Sequence, residues 1–174
     1  MIFIKKTLAL LVSSLFLFTG CELASKQPEA PVLDLNGREC DVTFGKVTYT
    51  AKIFTPCIDK TVIEFTSPEG LAGTQYTFCE NTLELECGEL AFSSDMSYLP
   101  EGSLPAVINT ILSDIRQDNS LVYSDSTADS YSGKRYALYN GNTEKFDYTV
   151  KTDFESGIVK EIYSDDKKLS VIID

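Results

Sequence analysis

Residues 103–118 read Ser-Leu-Pro-Ala-Val-Ile-Asn-Thr-Ile-Leu-Ser-Asp-Ile-Arg-Gln-Asp, and their spacing decides the fold. Leu104, Val107, Ile108, Ile111, Leu112 and Ile115 recur at i, i+3, i+4, i+7, i+8 and i+11. That spacing draws one apolar stripe along an α-helix. Ser103 suits the N-cap, and Pro105 suits the first turn, where a missing N–H costs nothing. Beyond the N-terminal segment, no other stretch carries this period. Nearly everything else alternates with period two, so a single helix must serve a large sheet.

The alternation is clear on both sides of the helix. Val47, Tyr49, Ala51 and Ile53 share one strand face, and Thr48, Thr50 and Lys52 the other. Gly45, near the start of that run, suits a bulge or bend. Pro56-Cys57-Ile58-Asp59 turns the chain. A second strand holds Ile63 and Phe65 on one side. Ser67 to Gly73, with Pro68 and two glycines, is a loop. Tyr76 and Phe78 point inward from the next strand, and in the one after Leu83, Leu85 and Cys87 alternate with Glu84 and Glu86. Past the helix, a strand begins near Ser120, and Ser124 to Gly133 reads as a mobile acidic loop. Strands follow at 134–139, 143–154, 158–163 and 168–173. The expected fold is α+β. It is a strongly curved antiparallel sheet of about nine or ten strands, a half-barrel or open barrel, with one helix (about 103–118) on its concave face. One domain spans 40–174. If the sheet curls around a hollow, Tyr49, Phe65, Tyr76, Phe78, Val107, Ile111, Tyr136, Phe146 and Tyr148 would line it and bind a ligand. If the core is filled, the same residues are packing.

The N-terminus carries an address. Lys5 and Lys6 precede the apolar run Leu8 to Phe18, which is of secretory length and short for a membrane span of about 20 residues. It leads into Leu17-Phe18-Thr19-Gly20-Cys21, which resembles a bacterial lipobox. The resemblance implies a lipoprotein signal peptide at 1–20 and acylation of Cys21. An ordinary signal peptide or an uncleaved anchor is the alternative. Residues 21–39, with Pro28, Pro31 and Gly37, read as a lipidated flexible tether. The expected location is the cell membrane, lipid-anchored and facing the extracytoplasmic side. Membrane lipid is then a partner through the acyl anchor.

Charge and cysteine usage narrow the function. The chain holds 15 Lys+Arg against 26 Asp+Glu, a net charge of −11. An acidic protein is a poor match for nucleic acid, whose phosphates require a basic patch. Setting Cys21 aside leaves Cys40, Cys57, Cys79 and Cys87, an even number suited to two disulfides in an exported chain. The expected meander sets Cys57 and Cys79 at one end of the sheet, which favours Cys57–Cys79 and, by elimination, Cys40–Cys87. Zinc is a rival use, but no C-x-x-C spacing exists and the chain has no histidine. The same lack removes Ser-His-Asp and Cys-His catalysis. No phosphate-binding glycine loop or EF-hand loop is present. The expectation is a protein without metal, cofactor or enzymatic activity. Paired carboxylates in a cleft leave a hydrolase as an outside alternative.

Two short stretches carry a family resemblance. Phe65-Thr66-Ser67-Pro68-Glu69-Gly70-Leu71 lies between strands, and Leu99-Pro100-Glu101-Gly102-Ser103-Leu104-Pro105 leads into the helix. With the lipobox and the order of elements, they resemble the lipoprotein carriers and receptors of the LolA/LolB type, whose fold the mycobacterial LppX/LprG lipoproteins share. The resemblance implies an incomplete barrel lidded by helices that holds acyl chains. It also implies a membrane-directed role for Leu71, for which tucking onto the barrel rim is the alternative. The function expected is non-catalytic binding or carriage of a lipid or acyl chain. The alternative is a surface-tethered module that binds an envelope protein and has no ligand cavity. A helix standing off the sheet would be a lid, and a helix packed flush would be a plug.

Overall fold

The computed structural model describes residues 26–117 and 121–174. Six strands precede the helix: β1 (Arg38–Phe44), β2 (Val47–Cys57), β3 (Lys60–Ser67), β4 (Thr74–Cys79), β5 (Thr82–Cys87) and β6 (Leu90–Asp95). A short 3-10 turn, Met96–Tyr98, leads to the helix α1 (Leu104–Arg116). Five strands follow: β7 (Val122–Ala128), β8 (Arg135–Asn142), β9 (Asp147–Asp153), β10 (Val159–Ser164) and β11 (Leu169–Ile173). All eleven form one open antiparallel sheet in the order β6-β5-β4-β3-β2-β1-β11-β10-β9-β8-β7. The two halves of the meander join where the first strand pairs with the last, Val42 opposite Val171.

Three sequence expectations change. The chain reverses at Gly45, whose φ is +65°, so β1 and β2 form a hairpin with Cys40 opposite Ala51. A full turn between two strands thus stands where a bulge or bend was expected. The first half of the expected loop at 124–133 is strand β7, because its backbone pairs with β8 from Val122 to Ala128. Its polar residues face water on an edge strand, so they show no apolar alternation. Residues 26–39, expected within a flexible tether, lie docked on the domain. Val32 bridges Ile158, Tyr139 Oη donates to Glu29 O at 2.8 Å, and Leu35 is buried in the core. The lipidation site Cys21 and the signal peptide lie outside the described residues.

The sheet curls strongly. Phe78 on β4 and Phe146 beside β9 line one cleft, yet six strand positions separate β4 from β9 in the sheet order. On a flat sheet they would stand about 29 Å apart, at ~4.8 Å per strand. Helix α1 crosses the concave face. Its Leu104, Val107, Ile108, Ile111, Leu112 and Ile115 join Ile53, Ile63, Val150, Ile162 and Val171 in one core. The helix packs flush. The space left between it and the sheet is a cavity of only about 10 Å³, lined by Leu35, Ile53, Ile108, Ile111 and Ile162 among others. That holds no more than about one water.

The C-terminal end of α1 is held by polar bonds. Arg116 donates to Lys60 O at 2.8 Å, Cys57 O at 3.0 Å and Thr61 Oγ1 at 2.8 Å. The guanidinium thereby satisfies the β2–β3 turn and covers Thr61, which is fully buried. Burial of Arg116 lowers its pKa, against the raising effect of Cys57 and Asp59 nearby.

Candidate functional site

A cleft of about 530 Å³ opens at the N-terminal end of α1. Local hydrogen bonding builds each of its walls. On one side, Met96 N donates to Asn81 O at 2.9 Å, and Asp95 caps the 3-10 turn by accepting from Ser97 N at 2.9 Å. This fixes a strap, residues 96–103, that crosses from β6 to the helix and turns Met96 and Leu99 into the cleft. On the other side, Thr143 organises the β8–β9 turn. Its Oγ1 accepts from Lys145 N at 3.2 Å and Phe146 N at 3.0 Å. Phe146 is therefore buried while Lys145 stays exposed. Phe78 closes the floor, and Ala106 and Thr110 supply the helix wall.

The rim is charged. Lys145 Nζ pairs with Glu101 Oε1 at 2.6 Å. Lys167, on the β10–β11 turn, sets Nζ 4.8 Å from the Phe146 ring centroid. The hydrogen bond from Lys145 holds the Glu101 carboxyl below its ordinary pKa, helped by the charges of Lys145 and Lys167. An apolar floor thus meets two ammonium groups at one mouth, in a pocket within the usual size range for small-molecule sites. The arrangement can take an apolar chain inward and hold a polar group at the rim.

The residues predicted to line one hollow separate into five groups. Phe78 and Phe146 reach the cleft. Val107 and Ile111 are 0% and 1% exposed and serve the plugged core. Tyr49, Phe65 and Tyr76 stack edge-to-face on the concave side of β2–β4, with centroids 5.7 and 6.0 Å apart. Burial raises the Tyr76 pKa. Tyr148 is buried and hydrogen-bonds Asp114 of the helix. Tyr136 is misplaced by the expectation. It neighbours the fully buried Ala137, so it faces the convex side, where Lys151 Nζ lies 4.8 Å from its ring. Leu71 is half-buried against the core, which is the rim position. Its loop shares an end of the sheet with the β8–β9 and β10–β11 turns, whereas the N-terminal segment docks beside the opposite, β9–β10 turn.

The expected disulfides do not form, and Cys40, Cys57, Cys79 and Cys87 are free thiols. Cys57 and Cys79 flank Lys60 from either side, each paired to it across a strand gap. Two gaps make about 10 Å, beyond the ~7 Å that a cystine spans between Cα atoms. Cys40 lies on β1 and Cys87 on β5, four strands apart in the sheet order. Cys40 is fully buried.

The cleft's other members, Met96, Leu99, Glu101, Lys145 and Lys167, escaped the sequence reading. They sit in turns and the strap, where no periodicity marks a facing direction. The Leu99-Pro100-Glu101-Gly102 lead into the helix was the one available signal. A second cleft, of about 630 Å³, lies under Lys26 to Pro31 against Tyr123, Arg135, Tyr139 and Phe154. It is formed by the docked N-terminal segment itself.

Fold and site together define a class: an open antiparallel half-barrel plugged by one helix, with an amphipathic cleft at one end. No protein-family model matches the chain, and a search of curated proteins finds no match. Among solved structures, the chain is similar to an uncharacterized conserved protein from Thermus thermophilus, with TM-score 0.46 and 10% identity, covering 78% of this chain and 73% of that one. It is also similar to a LolA superfamily protein from Nitrosomonas europaea, with TM-score 0.36 and 10% identity, covering 75% of this chain and 64% of that one.

Proposed function

We propose that the protein is a bacterial envelope lipoprotein, anchored through Cys21 on the extracytoplasmic side, that binds or carries a hydrophobic ligand without catalysis. The observation that supports this most is the open cleft whose floor, Phe78 and Phe146, is continuous with the apolar core. The ligand does not sit beneath the middle of the helix, where about 10 Å³ is left. It enters at the helix N-terminal end, where the strap and two turns leave room. Each methylene moved from water to that floor contributes about 0.8 kcal/mol. The test is native mass spectrometry of protein extracted from membranes, with its acyl anchor cut away. Co-purifying lipid is the expected result. Bare protein under gentle conditions sinks the carrier reading.

One observation favours the alternative, an interaction module. The helix is a plug, and the edge strand β6 leaves Leu90 and Phe92 exposed at 77% and 56%. An unpaired edge with apolar side chains is a template for strand addition by an envelope protein. Bare protein in the same spectra, together with crosslinks from β6 to a partner in membranes, would favour it.

A further inference from the structure

We propose that the ligand of the end cleft is an anionic amphiphile, whose carboxylate or phosphate is held by Lys145 and Lys167 in exchange for Glu101. This rests on the ligand-binding reading and adds the chemistry of the headgroup. Three observations carry it. The cleft is half apolar in its residues, with Phe78, Met96, Leu99 and Phe146 facing Lys145 and Lys167. Those two cations stand at one mouth in a chain whose net charge is −11. A carboxylate already occupies the position a headgroup would take, since Glu101 Oε1 lies 2.6 Å from Lys145 Nζ. Glu101 belongs to the strap, so its exchange for a ligand anion also frees the strap from the β8–β9 turn. The ion pair is exposed, with side-chain accessibilities of 53% and 77%, and such pairs are worth little in water. Glu101 is therefore a weak competitor that a ligand bringing its own apolar chain can displace.

The test uses the full-length protein in phosphatidylcholine nanodiscs and three photoactivatable C16 probes: a fatty acid, the matching alcohol and the matching alkyl phosphate. Crosslinked peptides are read by mass spectrometry. At equal dose, the acid or the phosphate is expected to label residues 96–110 and 143–148 about tenfold more than the alcohol, the discrimination typical of a charge-assisted contact. Lys145→Gln with Lys167→Gln removes that preference. Glu101→Gln raises anion labelling severalfold, an outcome that neither a folding defect nor a purely structural ion pair would produce. Acid-only labelling identifies a carboxylate ligand, and phosphate-only labelling a phospholipid-like one. Equal labelling of the cleft by alcohol and acid overturns the headgroup inference and leaves the hydrophobic-ligand reading standing. No cleft labelling by any probe overturns both.

Discussion

Replacing Ile111 by alanine asks whether α1 is a plug. Ile111 is 1% exposed and borders the small cavity of about 10 Å³ between helix and sheet. The substitution deletes three carbons from a packed site. Their transfer from core to water is worth about 2.4 kcal/mol, at ~0.8 per methylene. The surroundings relax only in part, so the enlarged void brings the total to about 3–4 kcal/mol. For a domain of this size, each kcal/mol moves Tm by about 2–4 °C, giving a fall of about 6–16 °C. Urea unfolding of the parent and Ile111→Ala, with m unchanged, measures the difference directly. Ile172→Ala is the control, since Ile172 is 46% exposed on the outer face of β11 and should cost about 1 kcal/mol or less. A loss below about 1 kcal/mol for Ile111→Ala would refute the packing argument. It would mean that the helix face looks into a hollow, and the lid reading would return.

Three further outcomes follow from named residues. Burial first, then Asp174 and Asp41, push the Cys40 thiol up to about 12 from 9.0. The stability this contributes is fully present below pH 9.0 and is lost as pH rises toward about 12, because the unfolded chain ionises first. Stability should therefore decline across that window, and Cys40→Ala should flatten the decline. Native maleimide labelling should reach Cys57, Cys79 and Cys87 and spare Cys40 until the protein unfolds. At Gly157, φ is +69° and an added Cβ would collide with Ala30 O. Gly157→Ala should lift residues 26–32 off the β9–β10 turn. Limited proteolysis should then cut there much faster, while the core melts only slightly earlier.

The helix was legible because six apolar residues at helical spacing leave one geometry that buries them all. Its bounds moved by a residue or two, from 103–118 to Leu104–Arg116. The strands were legible wherever one face is dry, as in Val47 to Ile53 and Tyr148 to Thr152. Strand β7 was legible only at its start, near Val122 and Tyr123, because an edge strand with both faces wet carries no alternation. Its order comes from backbone pairing to β8, to which the side-chain pattern is blind. The β1–β2 reversal hid for a different reason. Gly45 allows either a bulge or a full turn, and only the pairing of Cys40 with Ala51 chooses between them. The disulfide expectation fails for a separate reason: Cys57 and Cys79 do share one end of the sheet, but strand β3 lies between them.

The amino-acid sequence alone determined that one helix must cover one large antiparallel sheet, that the chain is acidic, and that histidine chemistry is absent. Burial period and composition are local properties, readable residue by residue. The tertiary structure decided whether that helix is a lid or a plug, and that depends on a gap of a few ångströms between α1 and strands β2, β10 and β11. It also decided that Phe78, Met96, Leu99, Lys145 and Lys167 share one cleft. The sheet must curl through six strand spacings before residues so distant along the chain can face each other. Curvature sums small twists over many strands, so no single stretch of sequence records it.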